Sequence, residues 1–396
     1  MINSRLALAA VVLLTLVAIL ACAQRPTPRT PVTPTATTAS PTVTVVSPLK
    51  PLSPIPTPSR ARPTLPVARP TLPPQAARTH IFLPQIFKDY QAPTATTAPR
   101  VIPTSVIPKT TIPVNLGGLH VEATGDHTGY EEFLRACSAA NRPVALIKVF
   151  GDGYSAKIAQ EIDPRTVTIW RKPTKTGHDD YMDNPPGDWN WPASETAERV
   201  HTWMQAMYPD WEANRQYIDY FEIVNEPNMA TVTQTQRATE FVLAAMQEAE
   251  QQNPPYHLAI WSFSSGTPEQ WQADILAPTL RYAAEHGHIL SVHDGSVSEE
   301  RRLFREAAKD GTALRYRMFQ PMLGQFMPRV AITEAYQPGG YEIPDWFDWQ
   351  WYLTELAKDQ VIGAAWFTLG PYDFGGGDVN VVAQLPSFAL VLGCKE

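Results

Sequence analysis

Three cysteines in 396 residues are too few for a disulfide-built scaffold. A chain this long must rest on an apolar core, and a hydrophobic fraction of 44% can supply one. Acidic residues are nearly missing from the first part of the chain. Residues 1–115 carry 11 Lys/Arg and a single acid, Asp89, whereas 116–396 carry 21 basic and 38 acidic side chains. The overall charge of -7 is mild and argues against a nucleic-acid partner. There is no Gly-rich phosphate loop after the first candidate strand, where the turn reads Ala123-Thr124-Gly125-Asp126, so a nucleotide site of that kind is excluded. There is no compact histidine set either. His120, His286, His288 and His293 are scattered and no His-x-His closes the first strand, so no metal and no other cofactor is expected.

The longest apolar run, Leu6 to Leu20, is shorter than a membrane span. Arg5 precedes it and the small residues Ala21 and Ala23 follow, the pattern of an export signal. The tetrad Ile19-Leu20-Ala21-Cys22 resembles a bacterial lipobox. That resemblance implies cleavage before Cys22 and lipidation of its thiol; an ordinary secretory signal is the other reading. The expected divisions are a signal peptide at 1–21, a linker at 22–114 and a catalytic domain at 115–396. The expected location is outside the cell membrane, held to it through the lipid anchor.

The linker follows from proline. Of the 39 prolines, 21 lie between Pro26 and Pro113, with Thr, Ser, Ala and Val filling most of the rest. Such a segment buries too little apolar surface to fold and favours an extended chain. Its functional reading is a stalk and its bland one a passive tether. An apolar island at residues 81–87 interrupts it without a role that the sequence reveals. The two cysteines left after Cys22, Cys137 and Cys394, are expected close enough to bridge, because the first and last elements of a closed barrel are neighbours; separate buried thiols are the alternative.

From Asn115 onward short apolar runs alternate with helical periodicity. Candidate strands are 118–122, 144–150, 167–171, 220–225, 257–262, 289–293, 330–334 and 363–368. Candidate helices lie between them at 130–140, 156–161, 193–207, 235–252, 268–286, 299–319 and 346–358, with a short one near 388–392. Eight apolar strands alternating with helices predict an α/β fold, a (β/α)8 TIM barrel; an open doubly wound sheet is the competing layout.

Two strands end in a carboxylate. Phe221-Glu222-Ile223-Val224-Asn225-Glu226-Pro227 closes the fourth on Asn-Glu, and Val330-Ala331-Ile332-Thr333-Glu334 closes the seventh. A barrel presents such strand ends at one mouth, and ends four and seven face each other across it. Two carboxyl groups over one cleft can cleave a glycosidic bond, one delivering a proton and the other attacking carbon.

At these residues the chain resembles glycoside hydrolase clan A, the retaining (β/α)8 glycosidases. The resemblance implies Glu226 as acid/base, Glu334 as nucleophile and Asn225 beside the sugar 2-hydroxyl. It further implies His293 on the sixth strand, and Trp366 on the eighth beneath the reacting sugar. Arg171 is expected to orient the nucleophile. Many clan members carry a Tyr two residues after the strand-six His, bonded to the nucleophile; Gly295 stands there, and Tyr336 or Tyr372 could substitute. Glu122 and His120 on the first strand, and Trp189, Trp191 and Trp261, are further candidates for contact with sugar. Repulsion from Glu334 is expected to raise the Glu226 pKa. The expected partner is a poly- or oligosaccharide met by a monomer. Rival readings are a silent carbohydrate-binding barrel, a metal-dependent hydrolase on the same scaffold, and a structural stalk or adhesin.

Overall fold

The computed structural model describes residues 114–122, 127–151, 153–172, 189–295, 303–336, 344–370 and 381–395. The signal peptide, Cys22, the linker up to residue 113, the island at 81–87, residues 182–188 and Tyr372 lie outside the described residues.

Eight parallel strands close into a barrel in sequence order: β1 Gly117–Glu122, β2 Leu146–Phe150, β3 Val167–Arg171, β4 Tyr220–Ile223, β5 Leu258–Phe263, β6 Ile289–Gly295, β7 Val330–Tyr336 and β8 Val361–Leu369. The expected (β/α)8 barrel is therefore the fold. Among the described residues a helix follows each strand: α1 Tyr130–Ala139, α2 Tyr154–Ile162, α3 Thr196–Asn214, α4 Val232–Glu250, α5 Ala273–His286, α6 Phe304–Asp310, α7 Trp346–Leu356 and α8 Leu385–Val391; a further four-residue helix, Gln320–Leu323, lies between α6 and β7.

Local chemistry sets these elements. Helix α4 buries Thr235, Ala238, Val242, Ala245, Met246 and Ala249, one stripe at helical spacing, against the barrel. It starts at Thr231, whose hydroxyl accepts from the Gln234 N–H at 3.2 Å. Asp345 caps α7 in the same way, accepting from Phe347 and Asp348 N–H at 3.0 Å each. The predicted helix at 299–319 is shorter in the structure. Gly311, at φ 73°, ends α6, and a 3-10 turn over Arg315–Phe319 follows.

Closure comes from β1 pairing with both β2 and β8, with Gly117 opposite Ala364 and Gly118 opposite Leu146. A Cβ on Gly118 would lie 2.0 Å from the Leu146 carbonyl oxygen, so only glycine lets these strands approach. Beside this seam a disulfide joins Cys137 of α1 to Cys394.

Candidate active site

Inside the barrel the side chains form layers. The floor, at the strand N-termini, is apolar: Leu146, Ile169, Ala259, Ile289, Ala331, Ile362 and Ala365 pack together there. Two residues further along β2 and β4 the lining changes to charge. Lys148 and Glu222 are fully buried and make a close ion pair. Ser291 Oγ donates to the other Glu222 oxygen at 3.0 Å. Burial alone would push the Glu222 carboxyl up, but the positive charges of Lys148, Arg171 and His293 outweigh it and hold it at about 2. Sequence reasoning missed this pair. Its signal was present, since a Lys in Leu-Ile-Lys-Val-Phe and a Glu in Tyr-Phe-Glu-Ile interrupt otherwise apolar strands at inward positions.

Above this pair lies the mouth, where the two predicted carboxylates converge on shared partners. His293 Nδ1 is 3.0 Å from Glu226 Oε1, and the same ring's Nε2 is 3.6 Å from Glu334 Oε1. Arg171 Nη1 donates to Glu334 Oε1 at 3.2 Å and to Glu222 Oε1 at 3.3 Å. It also donates to Asn225 Oδ1. Arginine has donors only, so the amide oxygen of Asn225 must face it, which fixes how that amide points. The guanidinium lies over the Phe150 ring, 4.9 Å from its centre.

Backbone geometry aims both acids. Strand β4 ends one residue short of its apolar run, because Val224 at φ 62° leaves the extended region, as Glu226 does at φ 45°. Left-handed backbone is rare for a β-branched residue and is held here by its surroundings. Among the holds is the Glu226 N–H, which donates to Ser262 O on β5 at 3.0 Å. On β7, Thr333 faces inward to Ser291 and strict alternation would turn Glu334 outward. Register shifts on both neighbouring pairings, β6 with β7 and β7 with β8, undo the alternation and bring Glu334 into the mouth.

His120 and Glu122 of β1 also line the mouth. His120 Nδ1 lies 2.9 Å from Thr368 Oγ1, and that hydroxyl donates to His120 O at 3.2 Å. The hydroxyl therefore accepts from Nδ1–H and leaves the lone pair on Nε2, which is 3.9 Å from Glu334 Oε1. Burial, then repulsion from Lys148, Arg171 and His293, keeps His120 neutral, well below the usual histidine range. His293 goes the other way. Burial lowers it, but Glu334, Glu226 and Glu222 together raise it, so it favours the cation. Burial pushes the Glu122 carboxyl up to about 7, aided by Glu334 and opposed by Arg171. His120 Nε2, Glu122 Oε1 and His293 Nε2 are buried polar atoms without a hydrogen-bond partner among the described residues.

Several expectations are corrected. Trp366 does not lie under the mouth. It faces the helix layer, with its ring centre 4.9 Å from Phe388, 5.5 Å from Trp349 and 5.6 Å from Trp346. Alternation from Ala365 on the floor turns Phe367 inward instead, 4.7 Å from His120. Trp189 and Trp191 pack on each other and on Phe241 of α4. Trp261 is fully buried and bonds Thr279 of α5. None of these indoles can offer a face to a sugar at the mouth. Tyr336 does not replace the missing Tyr at 295 either, because its hydroxyl donates to Ser265 Oγ at 2.8 Å. A Cβ on Gly295 would come within 2.2 Å of Tyr336 O, so any side chain there is excluded by β7. The Glu226 pKa is lowered, not raised: burial works upward, but the hydrogen bond and charge of His293, with Arg171, hold it below the usual carboxylate range.

No family model matches the chain, and no curated protein matches it. Solved structures similar to it include SrfJ from Salmonella typhimurium, at 12% identity over 72% of this chain and 75% of that one, with a TM-score of 0.45. A glucosidase from Croceicoccus marinus matches at 12% identity over 72% and 69% of the two chains, with a TM-score of 0.43. A modular endo-β-1,4-mannanase from Cellulomonas fimi matches at 16% identity over 69% of each, with a TM-score of 0.41.

Proposed function

We propose that this protein is a glycoside hydrolase that cleaves a poly- or oligosaccharide with retention, using Glu226 as acid/base and Glu334 as nucleophile. One observation carries this reading: a single imidazole, His293, touches both carboxylates at the open end of the barrel, 3.0 Å from Glu226 and 3.6 Å from Glu334. Glu334, with its side chain 13% exposed and bonded to Arg171, is oriented to attack the anomeric carbon. Glu226 is more open, at 42%, as a group must be to reach a leaving oxygen and later a water.

The proton for departure sits on the His293–Glu226 pair. It favours the imidazole, since His293 is raised and Glu226 lowered. Moving it from Nδ1 to the carboxylate leaves neutral histidine and a carboxylic acid at unchanged total charge. Glu334 then bonds to carbon as Glu226 protonates the departing oxygen. Water, deprotonated by Glu226, frees the product in the second displacement and returns the proton to Glu226. His120 Nε2 is placed to accept a hydrogen bond from a sugar hydroxyl, and Glu122, raised to about 7, can donate one in its protonated form.

The experiment is hydrolysis of a polysaccharide panel, with proton NMR reading the anomeric configuration of the first-formed product. Glu334→Ala should lose at least about 10³-fold in kcat. Azide should restore turnover and give the inverted glycosyl azide. Near-normal hydrolysis by Glu334→Ala removes Glu334 from the mechanism. A second reading, a barrel that binds glycan without cutting it, is favoured by the lowered Glu226 pKa, since an acid catalyst must carry its proton. Binding to the panel without release of reducing sugar decides for it.

We further propose export, with lipid on Cys22 and residues 22–114 as a stalk. A disulfide between Cys137 and Cys394 suits an oxidising compartment. Radiolabelled palmitate should enter the wild type and not Cys22→Ser.

A further inference from the structure

One nitrogen, Arg171 Nη1, serves three acceptors: Glu334 Oε1 at 3.2 Å, Glu222 Oε1 at 3.3 Å, and Asn225 Oδ1. It has two protons to share among them. Glu222 is therefore a competitor of Glu334 for the same donor. Lys148 Nζ binds the same Glu222 oxygen that Arg171 does, and Ser291 occupies the other one at 3.0 Å. With its oxygens so occupied, Glu222 does not draw the guanidinium away. We propose that Lys148 and Glu222 are positioning residues for the nucleophile: the buried pair sets how much of Arg171 is left for Glu334.

The proposal rests on the reading of Glu334 as nucleophile. A purely structural pair would not need this arrangement. Ion pairs of this kind are expensive to bury, and apolar residues of the same volume often serve stability as well or better. The floor two residues below shows that this barrel fills with Leu, Ile and Ala where nothing else is asked of it. Both charges stand one layer beneath the mouth, next to the guanidinium that reaches into it.

Two removals then act in opposite directions. Lys148→Met takes away a positive charge that Glu334 feels and leaves Glu222 to claim Arg171, so the Glu334 carboxylate becomes harder to keep ionised. Glu222→Gln removes the competing anion and leaves Arg171 to Glu334, so the carboxylate becomes easier to keep ionised. The other groups facing Glu334 stay in place in both variants: His120 and Glu122 from β1, His293 from β6 and Tyr336 on its own strand. Strand β5 contributes Ser262, which bonds Ser291.

The test is a direct titration of Glu334 in the full chain labelled with 13C at the glutamate carboxyls, its resonance assigned by its disappearance in Glu334→Gln. Lys148→Met should raise the midpoint by roughly one pH unit and Glu222→Gln should lower it by a similar amount. The double variant Lys148→Met/Glu222→Gln, neutral and of similar volume, should titrate near the wild type. It also serves as a second reference: if one single variant does not fold, the other, measured against the double variant, must still move the midpoint in the stated direction. The acid limb of kcat/KM should follow the same signs. Midpoints that do not move, or that move together, overturn the proposal. Hydrolysis surviving in Glu334→Gln overturns the reading of the nucleophile instead, and the titration distinguishes the two failures because it needs no substrate.

Discussion

The floor and the upper interior of this barrel are built on the same strands and differ in almost everything else. Leu146 and Lys148 are two residues apart on β2, and Ile289, Ser291 and His293 climb β6 in the same inward row. Below, aliphatic side chains pack against one another in a single buried cluster. Above, Lys148, Arg171, Glu222, Glu226, His293 and Glu334 crowd one space with their charges balanced pairwise. The floor holds the barrel shut, and the upper layers use that rigidity to keep acids in conflict at fixed distances.

Substitution should separate the two regions. The largest effect belongs to Glu222→Ala, which strands Lys148 in the interior; chemical denaturation should show a loss of about 3–5 kcal/mol, together with a fall in kcat. A loss under about 1 kcal/mol would mean that water reaches the pair. Glu122→Gln comes next and carries a pH signature. A carboxyl raised to about 7 when folded is costly to ionise, and that cost grows from the ordinary carboxylate range near 4.5 up to about 7. The variant should therefore be more stable than the wild type at pH 8, by up to about 3 kcal/mol, and equal to it below pH of about 4. Glu222, held at about 2, has the opposite sign: its contribution is complete above about 4.5 and fades as pH falls toward about 2. Equal stability of Glu122→Gln and wild type at pH 8 would show that its carboxylate finds solvent. The smallest effect is Ile289→Val on the floor, about 0.5–1.5 kcal/mol by thermal unfolding, with kcat untouched. A change in kcat there would erase the distinction between the regions.

Much of the barrel could be read from the chain, because strands covered on both faces are nearly continuous apolar runs and stand out between amphipathic helices. The strand ends could not. Val224 belongs to the apolar run yet leaves β4, and β6 continues to Gly295, where a close approach to Tyr336 takes over. Glu226 and Glu334 were legible as strand-terminal acids, and the structure places both in one mouth with Arg171, Asn225, His293 and Glu122. Trp366 was not, because a motif names a residue but alternation along β8 decides which way it points. Glu334 shows the converse: alternation alone would have turned it outward, and only the register shifts beside β7 make it available. Bulges are set by partners distant in sequence, so no local pattern announces them. The opposite shifts of Glu122 and Glu222 are equally non-local, since they depend on burial and on the cations that β2, β3 and β6 supply.

The seam beside β1 also says where this barrel could be cut. Asn115 Nδ2 hydrogen-bonds Arg142 O, Arg142 Nε reaches Leu392 O, and the Cys137–Cys394 bond fastens the last turn to the first helix. Residues 115 and 394 are thereby held to a common neighbourhood, and a short peptide could join them directly. The domain could then be reopened between α4 and β5, at the floor end, giving a circular permutant whose new termini stand away from the mouth.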